Sequence, residues 1–167
     1  QTLELSRAPV IASHSAVRAL IDETRNLSDA ELDAIAAKGG VVHVPPFNTY
    51  LAPRPPEFVA ALGQVRARYG LPREFKGVLD DAERLTGAAR GEYTNEALKT
   101  VPRADLDDYL DHIDYVAKRI GVDHVGIGTD FDHGAGIVGY RDASEAQNVT
   151  RGLLARGYSP EDIAKIW

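Results

Sequence analysis

The chain contains neither cysteine nor methionine. Without thiols, disulfides and thiolate-ligated metal sites are both excluded, so any metal ion has to be held by histidine and carboxylate. Without methionine, Gln1 is not a nascent start, and the chain is expected to be a processed product or a piece of something longer. Long apolar runs are missing too: none approaches the roughly 18 residues of a membrane span. The opening QTLELSRAP lacks the basic start and apolar centre of a signal peptide. The expectation is a soluble protein, either cytoplasmic or periplasmic and secreted, with no transmembrane segment. Nor is there a basic block. Nineteen Lys and Arg against 25 Asp and Glu give a net charge of -6, which disfavours nucleic acid as the main partner and favours small molecules or peptides.

What is present is ordinary in amount: 167 residues, 44% hydrophobic and 26% charged, suffice for a globular domain with a sizeable core. The chain is organised around Val125-Gly126-Ile127-Gly128-Thr129-Asp130-Phe131-Asp132. This reads as a buried parallel strand whose alternate glycines allow close approach of backbone or ligand, and it ends in carboxylates. Ligand crevices in α/β proteins lie at the carboxyl ends of parallel strands, which makes Asp130 a candidate catalytic acid or metal ligand rather than a loop cap. The run Pro9-Val10-Ile11-Ala12-Ser13-His14 is a second short strand, and it stops at a potential ligand, His14.

The remaining elements follow from local signals. The first residues read as the tail of a helix, and residues 15–27 as a loop or irregular helix carrying Arg18 and Arg25. Ser28 and Glu31 form a capping box for a helix with Leu32, Ile35 and Ala36 on one face. Gly39-Gly40 ends that helix, and Val41–Val44 is the next strand of a βαβ unit, closed by Pro45-Pro46. A helix over Glu57–Tyr69 is marked by Phe58, Leu62, Val65 and Tyr69, and reads as part of a lid or decoration. The charged stretch Lys76–Lys99 has room for a short helix, but its charges read most simply as a solvated surface. Ala104–Ile120 is a long amphipathic helix with the stripe Leu106, Tyr109, Leu110, Ile113, Val116, Ala117 and Ile120, which puts His112 at its flank. A further helix is expected around Ser144–Ala155, and Ser159-Pro160 starts another that runs to Trp167. His43 reads as a packed, hydrogen-bonded residue, His124 as a strand-start residue and His133 as a solvated loop residue.

Three ordered segments, SRAPVIASHSAVRAL, TRNLSDAELDAIAAKGGVVHV and DHIDYVAKRIGVDHVGIGTDFD, resemble the carboxyl-terminal half of the membrane (renal-type) dipeptidase family of zinc peptidases. The likeness covers nearly the whole chain. It is weakest over about 52–103, where the sequence carries an insertion of the kind seen in bacterial members, to which the likeness is greatest. The resemblance implies an α/β fold, a (β/α)8 TIM-like barrel of which this chain supplies about strands 6–8 with their helices. It implies two zinc ions and hydrolysis of dipeptides by metal-activated hydroxide, with activity only when the amino-terminal half of the barrel completes the site.

By motif match, the resemblance makes His14 a zinc ligand, Asp130 the catalytic acid–base, and Arg25 and Tyr50 the residues that hold the substrate's carboxylate. The family's other metal ligands, a His-x-Asp pair, a bridging glutamate and a further histidine, have no counterpart in this chain. The implied partners are dipeptides and the amino-terminal half, with a homodimer left open. Two alternatives stand beside this reading: a catalytically inactive dipeptidase-like segment, and another metal-dependent amidohydrolase-type barrel using the same strand-end His and Asp.

Overall fold

The computed structural model of the protein describes residues 2–53, 55–72, 74, 77–100, 103–131 and 134–167. In chain order the regular elements are α1 (Thr2–Leu5), β1 (Ile11–Ala12), α2 (Asp29–Ala37), β2 (Val41–Val44), α3 (Asn48–Leu51), α4 (Pro56–Arg68), α5 (Val78–Glu83), α6 (Ala88–Lys99), α7 (Leu106–Ile120), β3 (Val125–Ile127), α8 (Ala146–Ala155) and α9 (Pro160–Ile166). They fall into two units, Gln1–Ala52 with Arg103–Trp167, and Pro53–Pro102.

The first unit is α/β, as its sequence pattern predicts. Its strands form one parallel sheet in the order β1-β2-β3, with Ile11 beside Val41, Val42 beside Val125 and Val44 beside Ile127. The strand ending at His14 is shorter than expected, since only Ile11 and Ala12 pair and His14 lies in the turn beyond.

Local chemistry explains where the helices begin and end. At α2 the Ser28 hydroxyl accepts the Glu31 amide while Glu31 accepts the Ser28 amide, which is the expected capping box. At α7 Asp105 accepts the Asp107 and Asp108 amides, and the Asp108 carboxylate accepts the Asp105 amide. At α9 Ser159 accepts the Asp162 amide behind Pro160. Gly121, at φ +97°, turns the chain from α7 towards β3.

Both glycines of the organising stretch are needed for close approach. A Cβ at Gly126 would lie 3.1 Å from the His43 ring, and one at Gly128 2.9 Å from the Val44 carbonyl oxygen. The sheet and helices enclose one core: Leu32 and Ile35 of α2, Val42 and Val44 of β2, Tyr109, Leu110, Ile113 and Val116 of α7, Val149 and Leu153 of α8, and Ile163 and Ile166 of α9.

One expectation about α7 is corrected. His112 is not at the flank but on the buried face, 1% exposed. It stands three residues after Tyr109 and four before Val116, and that spacing carries it into the stripe. Its ring is accommodated because Nδ1 accepts the Val17 amide at 3.0 Å.

The second unit corrects another. The stretch expected as a solvated surface forms α5 and α6, and these close a separate core with α4: Phe58, Leu62, Val65, Ala82, Tyr93 and Ala97. Two of its charges are buried. Arg66 Nε donates to Asp81 Oδ2 at 2.7 Å, Arg66 Nη2 donates to the carbonyls of Pro72 (2.6 Å) and Glu74 (2.7 Å), and the Tyr93 hydroxyl donates to Asp81 Oδ2 at 3.0 Å. Burial and the Asp81 carboxylate push the Tyr93 phenol well above its ordinary range. Mutual pairing, rather than solvent, satisfies these groups.

Candidate active site

The carboxyl ends of β2 and β3 are joined by a few buried bonds. The Val44 carbonyl, last in β2, accepts the Gly128 amide at 2.8 Å and the Tyr109 hydroxyl at 3.0 Å. The same hydroxyl lies 3.4 Å from the Gly128 carbonyl, and burial raises its pKa far above the phenol range, so it is a fixed donor. Tyr109 thereby ties α7 to the ends of β2 and β3.

Asp130 follows two residues later in the left-handed region, at φ +49°, the described non-glycine residue that has a positive φ. Aspartate tolerates this conformation better than most side chains. The turn is held by the Asp130 carbonyl, which accepts the Ala135 amide at 3.3 Å, and by Phe131, whose ring packs edge-on against Tyr140 at 5.2 Å. Two neighbouring anchors thus set the direction of the Asp130 side chain.

His14 leaves β1 on the far side of β2. Strands two places apart in a sheet are roughly 9–10 Å apart, yet His14 Nε2 lies 3.9 Å from Asp130 Oδ1. The two side chains therefore lean towards each other over the end of β2. His14 Nδ1 is 2.7 Å from Ser13 Oγ, an arrangement that orients the ring with Nε2 facing the carboxylate. The His14 side chain is 48% exposed and that of Asp130 23%, so the pair is open to solvent.

The other two candidates form a second pair. The Arg25 guanidinium stands 5.9 Å above the centre of the Tyr50 ring, within cation–π range, and Tyr50 also packs against Phe47 at 5.1 Å. Arg25 projects from the loop between β1 and α2, and Tyr50 from α3, a short helix that the sequence pattern did not reveal. Asn48 at the start of α3 accepts the Ala104 amide at 2.8 Å and donates to the Gly136 carbonyl at 3.2 Å, which holds α3 in place.

Of the remaining histidines, His124 Nδ1 bonds the Gly40 carbonyl at 2.7 Å at the amino end of the sheet, away from Asp130. His43 is half-buried with its ring against Gly126. His133 and Asp132 lie outside the described residues.

Zinc takes imidazole nitrogen and carboxylate oxygen. His14 suits it, because Nδ1 has a partner in Ser13 and Nε2 is the nitrogen turned towards Asp130; the outer bond of a metal-bound histidine typically fixes its ring in this way. Among the described residues no group of three or more His, Asp or Glu could hold a metal ion by itself. The donors present fit part of a zinc site.

An α/β protein with an imidazole and a carboxylate meeting at the carboxyl ends of parallel strands is of the class that places its chemistry at that edge. The particular family follows from comparison: the profile of the membrane dipeptidase family, peptidase family M19, matches residues 1–167, and the chain belongs to that family. The chain is 32% identical over 165 residues to dipeptidase ataJ of Aspergillus terreus, covering 98% of this chain and 29% of that protein. Among solved structures, the probable dipeptidase PvdM from Pseudomonas aeruginosa superposes with a TM-score of 0.78 at 44% identity, covering 99% of this chain and 44% of that one. A metallopeptidase from Rhodobacter sphaeroides, bound to a phosphinate mimic of the dipeptide L-Ala-D-Ala, superposes with a TM-score of 0.65 at 25% identity, covering 98% and 34%. The chain thus spans less than half the length of each of these proteins.

Two residues of structural importance to the site, His112 and Asn26, were missed in the sequence. The helical spacing of His112 pointed to burial. Asn26 gave no signal beyond its place beside Arg25.

Proposed function

We propose that this chain is the carboxyl-terminal part of a zinc dipeptidase barrel, with 53–102 as an insertion, and that it acts when an amino-terminal half completes the site. The observation that carries the reading is the 3.9 Å approach of His14 to Asp130 across the end of β2. Family membership and partial coverage of longer peptidases support the same reading.

In this reading His14 Nε2 holds zinc, and the amino-terminal half brings the remaining ligands of a two-zinc site. Bound zinc supplies Lewis-acid polarisation of the scissile carbonyl and makes water acidic enough to be a nucleophile at neutral pH. Asp130 accepts the proton of the attacking water at a carboxylate oxygen and hands it to the leaving amine. Its left-handed backbone and the Phe131–Tyr140 contact keep that oxygen at one place through both transfers. Arg25 receives the substrate's free carboxylate through paired N–H donors, a geometry that lysine cannot reproduce. Tyr50 backs the guanidinium and helps hold the same carboxylate. A requirement for that carboxylate confines cleavage to the last peptide bond before a free carboxyl terminus and leaves side-chain choice broad.

The test is hydrolysis of a dipeptide and of its carboxyl-terminal amide by the complete zinc-loaded protein, before and after chelation. The expected result is chelator-sensitive turnover restored by zinc, about two zinc ions per assembly, and strong preference for the free acid. Turnover indifferent to chelation, or equal on acid and amide, overturns the reading.

A further inference from the structure

We infer that Asn26 is the positioning residue of the carboxylate clamp, its side-chain amide joining the loop that carries Arg25 to the helix that carries Tyr50. The inference rests on the reading of Arg25 and Tyr50 given above and goes beyond it by naming what sets their relative position.

Asn26 follows the exposed Arg25 directly but is itself 1% exposed. Its Nδ2 donates to the Ile21 carbonyl inside the loop and to the Tyr50 carbonyl on α3, each at 2.9 Å. Those two bonds use both amide hydrogens, and the Val17 carbonyl at 3.4 Å is a weaker third neighbour. With carbonyls gathered around Nδ2, the orientation of the amide is settled.

The loop is closed without this side chain. The Arg18 amide donates to the Leu27 carbonyl and the Leu27 amide to the Ala16 carbonyl, both at 2.9 Å, and the Val17 amide is held by His112. What Asn26 adds is the bond across to α3. It fixes the backbone beside Arg25 relative to the backbone of Tyr50, whose ring lies under the guanidinium. A long, exposed arginine otherwise has many rotamers of similar energy, and anchoring both ends of the stack removes most of that freedom before a substrate arrives.

The other end of the amide points the same way. Asn26 Oδ1 is buried and has no hydrogen-bond partner among the described residues. A buried unpaired acceptor is unfavourable, and an apolar residue of similar volume such as leucine would avoid it. The asparagine is therefore explained by its donor side, and the donor that reaches outside the loop reaches Tyr50.

The experiment compares Asn26→Leu, Arg25→Ala and the double variant in the complete zinc-loaded protein, on a dipeptide and on its amide. For Asn26→Leu, KM for the dipeptide is expected to rise about tenfold with kcat within about threefold, and the acid-over-amide preference to fall in step. In the double variant the preference falls no further than in Arg25→Ala, because Asn26 acts through Arg25. Equal losses on acid and amide, or full additivity with Arg25→Ala, overturn the inference. If Arg25→Ala abolishes the preference while Asn26→Leu retains it, this inference alone fails; if Arg25→Ala retains it, the reading of the clamp fails and takes the inference with it. Should Asn26→Leu not fold, Asn26→Ser, too short to reach Tyr50, is read by the same ratio.

Discussion

The Val17 amide donates to the buried Nδ1 of His112 at 3.0 Å. Nδ1 must carry a lone pair to accept it, so the ring is the neutral tautomer with its proton on Nε2. Burial lowers the His112 pKa to about 4, outweighing the nearby Asp111 carboxylate and a hydrogen bond to the Leu51 backbone, both of which raise it. In the unfolded chain the same group titrates at an ordinary 6.5. Between these values the unfolded state binds the extra proton, so stability is full above pH 6.5 and is lost as pH falls towards 4. The loss from this one group is up to about 3 kcal/mol across that window. Urea unfolding of the protein and of His112→Gln at several pH values checks it. The expected result is a steeper fall for the native protein between pH 6.5 and 4, and parallel profiles would refute the account.

Asp130 allows backbone and chemistry to be separated. Asparagine accepts a φ of +49° as readily as aspartate does, whereas alanine there is strained by about 1 kcal/mol. In the complete protein Asp130→Asn is expected to keep the melting temperature within about 2 °C. Under the proposed role it lowers kcat by a factor on the order of 1,000 or more through loss of the proton acceptor. Asp130→Ala should show the same kinetic loss and a lower melting temperature as well. Near-native turnover of Asp130→Asn would remove Asp130 from the mechanism.

These two residues also mark what the sequence discloses. The Ser28–Glu31 box, the α7 stripe and the glycines beside β3 are local signals, and each is found where its pattern places it. The strand-end positions of His14 and Asp130 were legible because a short apolar run stops at each. Which side chains would meet was not legible: the Val17–His112 bond joins residues 95 positions apart, and the Asn26–Tyr50 bond joins residues 24 apart. In 53–102 charged residues are interleaved with the apolar ones, and a charge that is paired inside a core looks in sequence like a charge in water. Arg66 and Asp81 were hidden in that way. The roles proposed for Arg25 and Tyr50 came from family resemblance, since an arginine in a loop and a tyrosine on a single helical turn have no periodicity to betray them.

The Arg66–Asp81 pair leads to a prediction about the second unit. Their side chains are 10% and 1% exposed, so removing one leaves the other desolvated and uncompensated. Asp81→Ala is expected to destabilise the second unit by about 3–5 kcal/mol. Replacing both partners by residues of similar volume, Arg66→Met with Asp81→Leu, should recover most of that loss, because no buried charge remains. Hydrogen exchange of the α4–α6 amides separates this local effect from the stability of the remainder. A double variant as unstable as Asp81→Ala would show that the carbonyls of Pro72 and Glu74, which also take bonds from Arg66, matter more than the ion pair.

Gly128 makes a strict demand on space at the end of β3. Its backbone is not in the left-handed region, so a side chain is excluded by neighbours rather than by conformation. The atoms that a Cβ would meet are all backbone: Val44 O at 2.9 Å, Val44 C at 3.0 Å and Pro45 N at 3.1 Å. None can rotate away as a flexible side chain could, so Gly128→Ala has to separate the ends of β2 and β3 and stretch the 2.8 Å bond from the Gly128 amide to the Val44 carbonyl. The expected cost is about 1–3 kcal/mol. Because Asp130 stands two residues further on, turnover of the complete protein should fall as well under the role proposed for Asp130. Gly63 is the control. It lies inside α4 with nothing within 4 Å of an added Cβ, so Gly63→Ala is expected to stabilise by about 0.5–1 kcal/mol through helix propensity. Chemical denaturation of the two variants side by side tests both signs. A neutral Gly128→Ala would mean that β2 and β3 can part at their ends without loss, and the platform beneath Asp130 would then not be rigid.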